Sequence, residues 1–133
     1  MRLTSEKKER IIEWENWLRA NPDKQGVGSL RPSENRFCCL GVACEISQLS
    51  RWGIEPREFG HSPGPRFYMG KNNILPAPVM EYYGLPFNQG FEFLIWLGVD
   101  SREMQATYLT DLNDSGFTFS QIADIITYWR EAH

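Results

Sequence analysis

Phe37-Cys38-Cys39-Leu40-Gly41-Val42-Ala43-Cys44-Glu45-Ile46 is the most continuously apolar run in the chain and holds all three of its cysteines. A run this apolar belongs in a core. Periodicity within it fits either a short strand or a buried helix. The residues that follow favour helix, because Cys39, Val42, Ile46 and Leu49 fall on one face with Ala43 beside them. The reading is a helix over residues 38–49, with Gly41 permitting another element to come close at a propensity cost of about 1 kcal/mol relative to Ala. The rest of the chain is expected to pack around it.

Upstream, residues 4–20 carry Ile11, Trp14 and Leu18 at helical spacing, widened by Ile12 and Trp17, which predicts an amphipathic helix. Asn21-Pro22-Asp23 ends it, since the residue before proline avoids helical dihedrals. Lys24 to Pro32 contains Gly26 and Gly28 but lacks the lysine and serine spacing of a phosphate-binding loop, so it reads as a turn or short edge strand.

Downstream, residues 51–78 are rich in Pro and Gly and too aromatic for a disordered linker. Arg66-Phe67-Tyr68-Met69 and Asn73-Ile74-Leu75 flank the turn residues Gly70-Lys71-Asn72, predicting a small β-hairpin near residues 66–75. A short helix follows over residues 77–83 with Gly84 as its stop. Residues 85–100 have no settled assignment, although Phe91, Phe93 and Ile95 alternate like a strand. A helix is expected from Asp100 or Ser101 to Leu112, with Met104, Tyr108, Leu109 and Leu112 buried. Thr118-Phe119-Ser120-Gln121 is a capping box, flanked by Phe117 and Ile122 at the hydrophobic-staple positions. Ile122, Ile125, Ile126 and Trp129 then form the apolar face of a last helix, so residues 101–130 read as a helical hairpin. The expected fold is a mainly α single domain over residues 1–133, with four to five helices around the buried Cys-rich helix and one small hairpin.

The chain has 133 residues, 41% of them apolar and 14% aromatic. That length is enough for one core without disulfide or metal support. Net charge is −3 and no basic run is present, which argues against general nucleic-acid binding. No signal-like or membrane-spanning apolar stretch is visible. An odd number of cysteines, two of them adjacent, points to reduced thiols and a cytoplasmic setting.

Three groups of residues could carry chemistry. Cys38 or Cys39 at a helix start could be a nucleophile, but the set Cys39, His61, Asn113 has no spacing that supports it, and buried inert thiols are the simpler reading. Cys38, Cys39 and Cys44 lack the spacing of a zinc site, so no metal is expected. Asn113 and Asp114 either cap a turn between helices or hold a ligand hydroxyl or base edge. Arg31, Arg36, Arg66 and Lys71 lie near turns, with Trp52, Phe67 and Tyr68 close in sequence. They are either solvated surface charge or a site that stacks a base and clamps a phosphate, which arginine grips bidentately. The candidate ligand set is Arg31, Arg36, Arg66, Tyr68, Lys71, Trp52, Asn113 and Asp114, with no catalytic residue and no cofactor.

The Gln25-to-Arg31 turn, the Cys38-to-Cys44 core, Leu75-Pro76 and the Leu112-to-Ile126 segment together resemble a group of small proteins encoded by bacteriophages and prophages. The resemblance implies a cytosolic protein made in a bacterial host during infection. It also implies an anti-defence role: a sponge that sequesters a cyclic-nucleotide or ADP-ribose-derived immune signal as a homo-oligomer. The alternative is a protein–protein inhibitor of a host or defence factor, and a cysteine-dependent hydrolase is the third reading. These implications rest on association with a family rather than on a site.

Overall fold

The computed structural model describes residues 2–49, 52–54, 66–69, 71, 73–96 and 104–133. Among the described residues five α-helices and four short strands follow one another: α1 (Ser5–Ala20), α2 (Cys39–Ser47), β1 (Trp52–Ile54), β2 (Arg66–Tyr68), α3 (Ala77–Tyr83), β3 (Glu92–Trp96), β4 (Met104–Tyr108), α4 (Leu109–Asp114) and α5 (Phe119–Ala132). The fold is mainly α, with β1 and β2 forming one antiparallel pair and β3 and β4 another.

The apolar run at residues 37–46 is the centre of the core. Cys39, Leu40, Val42, Ala43 and Cys44 are buried on α2, which packs against α1, α3 and α4. Two aromatic side chains fasten its backbone from outside. Trp14 Nε1 donates to the Cys39 carbonyl at 2.9 Å, and the Tyr83 hydroxyl donates to the Ala43 carbonyl at 3.1 Å. Gly41 is where the Leu30 segment lies across the helix. A Cβ there would sit 1.6 Å from the Leu30 carbonyl oxygen, the same oxygen that accepts a hydrogen bond from the Cys38 amide at 3.0 Å. The helix ends earlier than its apolar pattern predicts. Gln48 turns left-handed at φ 57°, and Leu49, expected on the buried face, is exposed.

α1 and α5 lie antiparallel. The Leu3 amide bonds the His133 carbonyl at one end of the pair, and Arg19 meets Asp124 and Thr127 at the other. Ile11, Trp14 and Leu18 of α1 and Phe119, Ile122, Ala123 and Ile126 of α5 are buried between them and α2. α5 begins on the expected capping box: Thr118 Oγ1 accepts from the Gln121 amide at 3.2 Å, and Gln121 Oε1 accepts from the Thr118 amide at 2.9 Å.

Two local expectations are corrected. Of the expected helix over residues 101–112, residues 101–103 lie outside the described ones, and the rest is instead strand β4 followed by the short α4. β4 pairs with β3 from Glu92↔Tyr108 to Trp96↔Met104. Met104 and Tyr108 are four residues apart, a spacing that suits a helical stripe and one face of a strand equally, and pairing with β3 decides it. The helix starts only at Leu109, where Asp111 Oδ2 accepts from the Tyr108 amide at 3.1 Å. The predicted hairpin at residues 66–75 keeps its turn, in which Tyr68 and Lys71 exchange backbone hydrogen bonds of 2.7 and 2.8 Å. Its second strand does not form. β2 pairs with β1 upstream, and the Leu75 amide turns to the Asn88 carbonyl at 2.8 Å.

Gly41→Ala places a methyl group inside the van der Waals radius of a backbone oxygen that has no rotamer in which to retreat. The expected loss is about 3 kcal/mol, at the upper end of overpacking costs, read as a lower urea midpoint. A midpoint within experimental error of wild type would mean that α2 does not seat on Leu30 in this way.

Candidate functional site

The residues proposed as ligand-binding do not converge on one place. The structure divides the described ones between two structural clusters and the surface.

Asn113 anchors the first cluster. It is fully buried, and its amide makes three hydrogen bonds. Both acceptor sites and one of the two donors are used: Oδ1 accepts from Gln25 Nε2 at 3.1 Å and from the Cys39 amide at 3.2 Å, and Nδ2 donates to the Gly26 carbonyl at 2.7 Å. The Cys39 amide is one of the orphan donors at the start of α2, so Asn113 caps that helix from a distant part of the chain. Gln25 completes the cluster by donating to the Phe117 carbonyl at 2.7 Å and accepting from the Phe119 amide at 3.1 Å. Asp114 Oδ1 receives the Gly28 amide at 3.0 Å. The Gln25-Gly26-Val27-Gly28 turn and the Leu112-Asn113-Asp114 segment are thus two halves of one interlock.

Arg31 anchors the second. It is buried, with Nη1 3.2 Å from Glu45 Oε2, and its guanidinium lies over the Phe37 ring at 4.6 Å. It also donates to the Glu34 carbonyl and, at 3.4 Å, to the Tyr68 hydroxyl. The Tyr68 hydroxyl in turn donates to Glu45 at 2.7 Å. Burial, and then the hydrogen bond to Glu45, push the Tyr68 phenol well above its ordinary range. Arg31 and Tyr68 are therefore brought together, but as a strut joining the 30s loop, α2 and β2. Arg36 is exposed and donates to the Asp23 carbonyl, and Lys71 is exposed. The side chains of Trp52 and Arg66 lie outside the described residues, as does His61.

The cysteines are packed groups. All three are buried free thiols. Burial pushes Cys38 up to about 11 and moves Cys39 and Cys44 in the same direction. Cys38 Sγ accepts from the Gly41 amide at 3.4 Å, which makes it an N-cap. Among the described residues no group of three His, Cys, Asp or Glu side chains is placed to hold a metal ion, and no helix is long and apolar enough to cross a membrane.

Two depressions remain. The first is polar, about 260 Å³, and is bordered by Gly28, Ser29, Asn73, Gln89, Asp111 and Asp114 with Cys38 beneath. Its described lining contains two carboxylates and no Lys or Arg. The Thr110 hydroxyl beside it is buried and has no partner among the described residues. The second is an apolar groove of about 520 Å³ between α5 and the start of β3, lined by Phe91, Ile125, Tyr128, Trp129 and Ala132, with Glu92, Asp124 and His133 at its edges. Phe91, Trp129 and His133 form a continuous stack, with centroid separations of 4.6 and 4.8 Å. Tyr128 is 79% exposed. The groove was not among the sequence-derived candidates. Its signal was Tyr128, an aromatic off the buried Ile122–Ile126 stripe, next to Trp129, which had been counted as core.

The groove is held rigid by a buried ion pair. Glu15 on α1 is 1% exposed and receives Arg130 Nε at 2.6 Å, the Thr127 hydroxyl, and Arg19 at 3.7 Å. This fixes the rotation of α5 about its axis, and it turns Arg130 to α1, so that Arg130 does not line the groove.

A small, mainly α domain with an aromatic groove and buried thiols is the class that the fold and site define. The chain belongs to the DUF8296 family, a domain of unknown function, whose family model matches residues 4–129. No curated protein and no solved structure matches the chain.

Asn113→Ala removes the partners of a buried amide N–H and a buried carbonyl, each costly to strand. We expect a loss of about 3 kcal/mol, with the urea m-value unchanged. A near-neutral effect would show that Asn113 does not hold the interlock. The thiols give a second test. Their protons are held to higher pH in the folded chain than in the unfolded one, where cysteine titrates near 9.0. The stability they contribute is fully present below that value and is lost as pH rises through it toward about 11, the folded value of Cys38. Melting temperature should therefore be flat near neutral pH and fall above about pH 9. Iodoacetamide should label the thiols readily only in denaturant. Rapid labelling of the native protein would contradict their burial.

Proposed function

We propose that the protein is a phage-type, non-catalytic binding protein that works in the cytoplasm of a bacterial host by engaging and inhibiting a host or defence protein. The observation that carries this reading is the apolar groove along α5, with Tyr128 exposed at its lip. An apolar depression with an aromatic at hand offers a partner surface to bury, and Tyr and Trp are enriched among the residues that anchor interfaces. The high thiol pKa values support binding over cysteine chemistry, because the thiolate is the nucleophile.

A second reading, sequestration of a nucleotide-derived signal by an anti-defence sponge, is favoured by the polar depression beside Asp114. Its size and charge limit the ligand. At about 260 Å³ it lies below the usual range of drug-sized sites, roughly 300–1,000 Å³, so it suits a nucleoside-sized fragment better than a cyclic di- or trinucleotide. Asp111 and Asp114 on its rim repel phosphate, and Arg31 is committed to Glu45.

The two readings separate in one comparison. Tyr128→Glu should keep the wild-type melting temperature and lose a stoichiometric partner that the wild-type protein retains when purified from infected host cells. Cyclic di- and trinucleotides and ADP-ribose derivatives should leave the melting temperature unmoved. A ligand at about 100 times its dissociation constant adds roughly 2.7 kcal/mol, which raises the melting temperature of a domain this size by several degrees. Such a shift, without a Tyr128-dependent partner, would replace the inhibitor reading with the sponge.

A further inference from the structure

We infer that the α5 groove takes a cationic amphipathic peptide segment of the partner, with one bulky apolar side chain seated against Trp129 and Ile125 and Arg or Lys flanking it. This rests on the groove being a docking surface, as proposed above, and adds the chemistry of what docks.

Charge complementarity carries the argument. The described lining holds two carboxylates, Glu92 and Asp124, and no Lys or Arg. The Glu92 side chain lies at the start of β3, exposed, and accepts from the Tyr108 hydroxyl at 3.4 Å. Asp124 is bridged to Arg19 at 3.0 Å, but its side chain is 76% exposed, and surface pairs of this kind are weakly held against solvent and competitors. The nearest cation on α5 itself, Arg130, is bound to buried Glu15 at 2.6 Å. A cation arriving at the groove therefore meets two exposed carboxylates, Glu92 and the Arg19-bridged Asp124, with no Lys or Arg in the described lining. It also meets the exposed Tyr128 ring, whose face attracts cations through the ring quadrupole. The floor supplies the other half: Phe91, Ile125, Trp129 and Ala132 give apolar contact within the volume of an ordinary ligand pocket. Amphipathic segments lay their apolar face into grooves of this kind and use flanking charge for register and partner choice.

The same charges argue against the other occupants. A second copy of this chain would bring one acidic rim against another, between molecules that each carry a net charge of −3. A nucleic acid would bring phosphates to Glu92 and Asp124.

The test is display selection of random peptides on the immobilised full-length protein at low salt, followed by calorimetry of enriched peptides against wild type, Tyr128→Ala and Glu92→Lys. Both substitutions are at exposed positions, and the variants should melt with wild type. The expected peptides carry Arg or Lys next to Trp, Phe or Leu. Their affinity should fall at least tenfold with either substitution and should also fall with added salt. Peptides weakened by Tyr128→Ala but not by Glu92→Lys, or lacking basic residues, would overturn the charge assignment while leaving the groove a docking surface. Selection yielding no Tyr128-dependent peptide would remove the docking surface itself. A dimer in sedimentation equilibrium that Tyr128→Ala dissolves would overturn the inference in favour of a second copy.

Discussion

The carboxamide of Asn113 is the point on which the other packing depends. An α-helix that begins inside a protein leaves amide donors with no water to bond, and α2 begins in the middle of the core. Cys38 and Asn113 both answer that demand, the first locally through its sulfur and the second from α4. The same amide holds the Gly26 carbonyl and the Gln25 side chain. One residue therefore fixes the start of α2, the position of the 25–28 turn and, through Gln25, the start of α5 at Phe119. Asparagine is suited to this because its amide both donates and accepts. Aspartate would set a second acceptor against the Gly26 carbonyl.

From this node the order of assembly leads to the groove. Asn113 and Gln25 place the first turn of α5, and Glu15 sets its rotation. A carboxylate this deeply buried is costly unless it is paired and hydrogen-bonded. Glu15 meets that condition with Arg130, Arg19 and Thr127 together. Of the α5 residues, Ile122 and Ile126 then point into the core, while Ile125, Tyr128 and Trp129 face the groove. The interlock and the buried ion pair contribute no ligand contacts, yet they give the groove a fixed shape, and a pre-organised surface loses less entropy on binding.

Much of the fold was legible in the sequence because local signals agreed with the final packing. The α1 stripe, the Gly84 stop, the Thr118 capping box and the buried Cys-rich helix all rest on short-range patterns. The 101–112 helix failed because four-residue spacing does not separate a helix from one face of a strand, and the deciding partner, β3, came from the stretch that had resisted assignment. The candidate site was less legible for a related reason. Arg31 and Asn113 were picked out as residue types that bind ligands, and those types also satisfy buried backbone and carboxylates. Only the partners tell the two uses apart: Glu45 and Phe37 for Arg31, the Cys39 amide and Gly26 carbonyl for Asn113. Both are distant in sequence. The groove left a fainter trace, because Phe91 is brought to the adjacent Tyr128 and Trp129 only by the tertiary fold.

The distribution of polar groups bears on what kind of ligand this molecule can hold. Phosphate recognition needs guanidinium or ammonium groups free to turn toward an anion. The described arginines that were candidates for this are already bonded to carboxylates or carbonyls of the fold, and Arg130 and Arg19 serve Glu15. Glu92, Asp111, Asp114 and Asp124 line the two depressions while each also bonds another group of the fold. The described linings of these two depressions offer carboxylates and no Lys or Arg, whereas Arg36 and Lys71 stand exposed elsewhere. Of the two rims, that of the groove stands over an apolar floor, where a bound cation brings buried hydrophobic area with it.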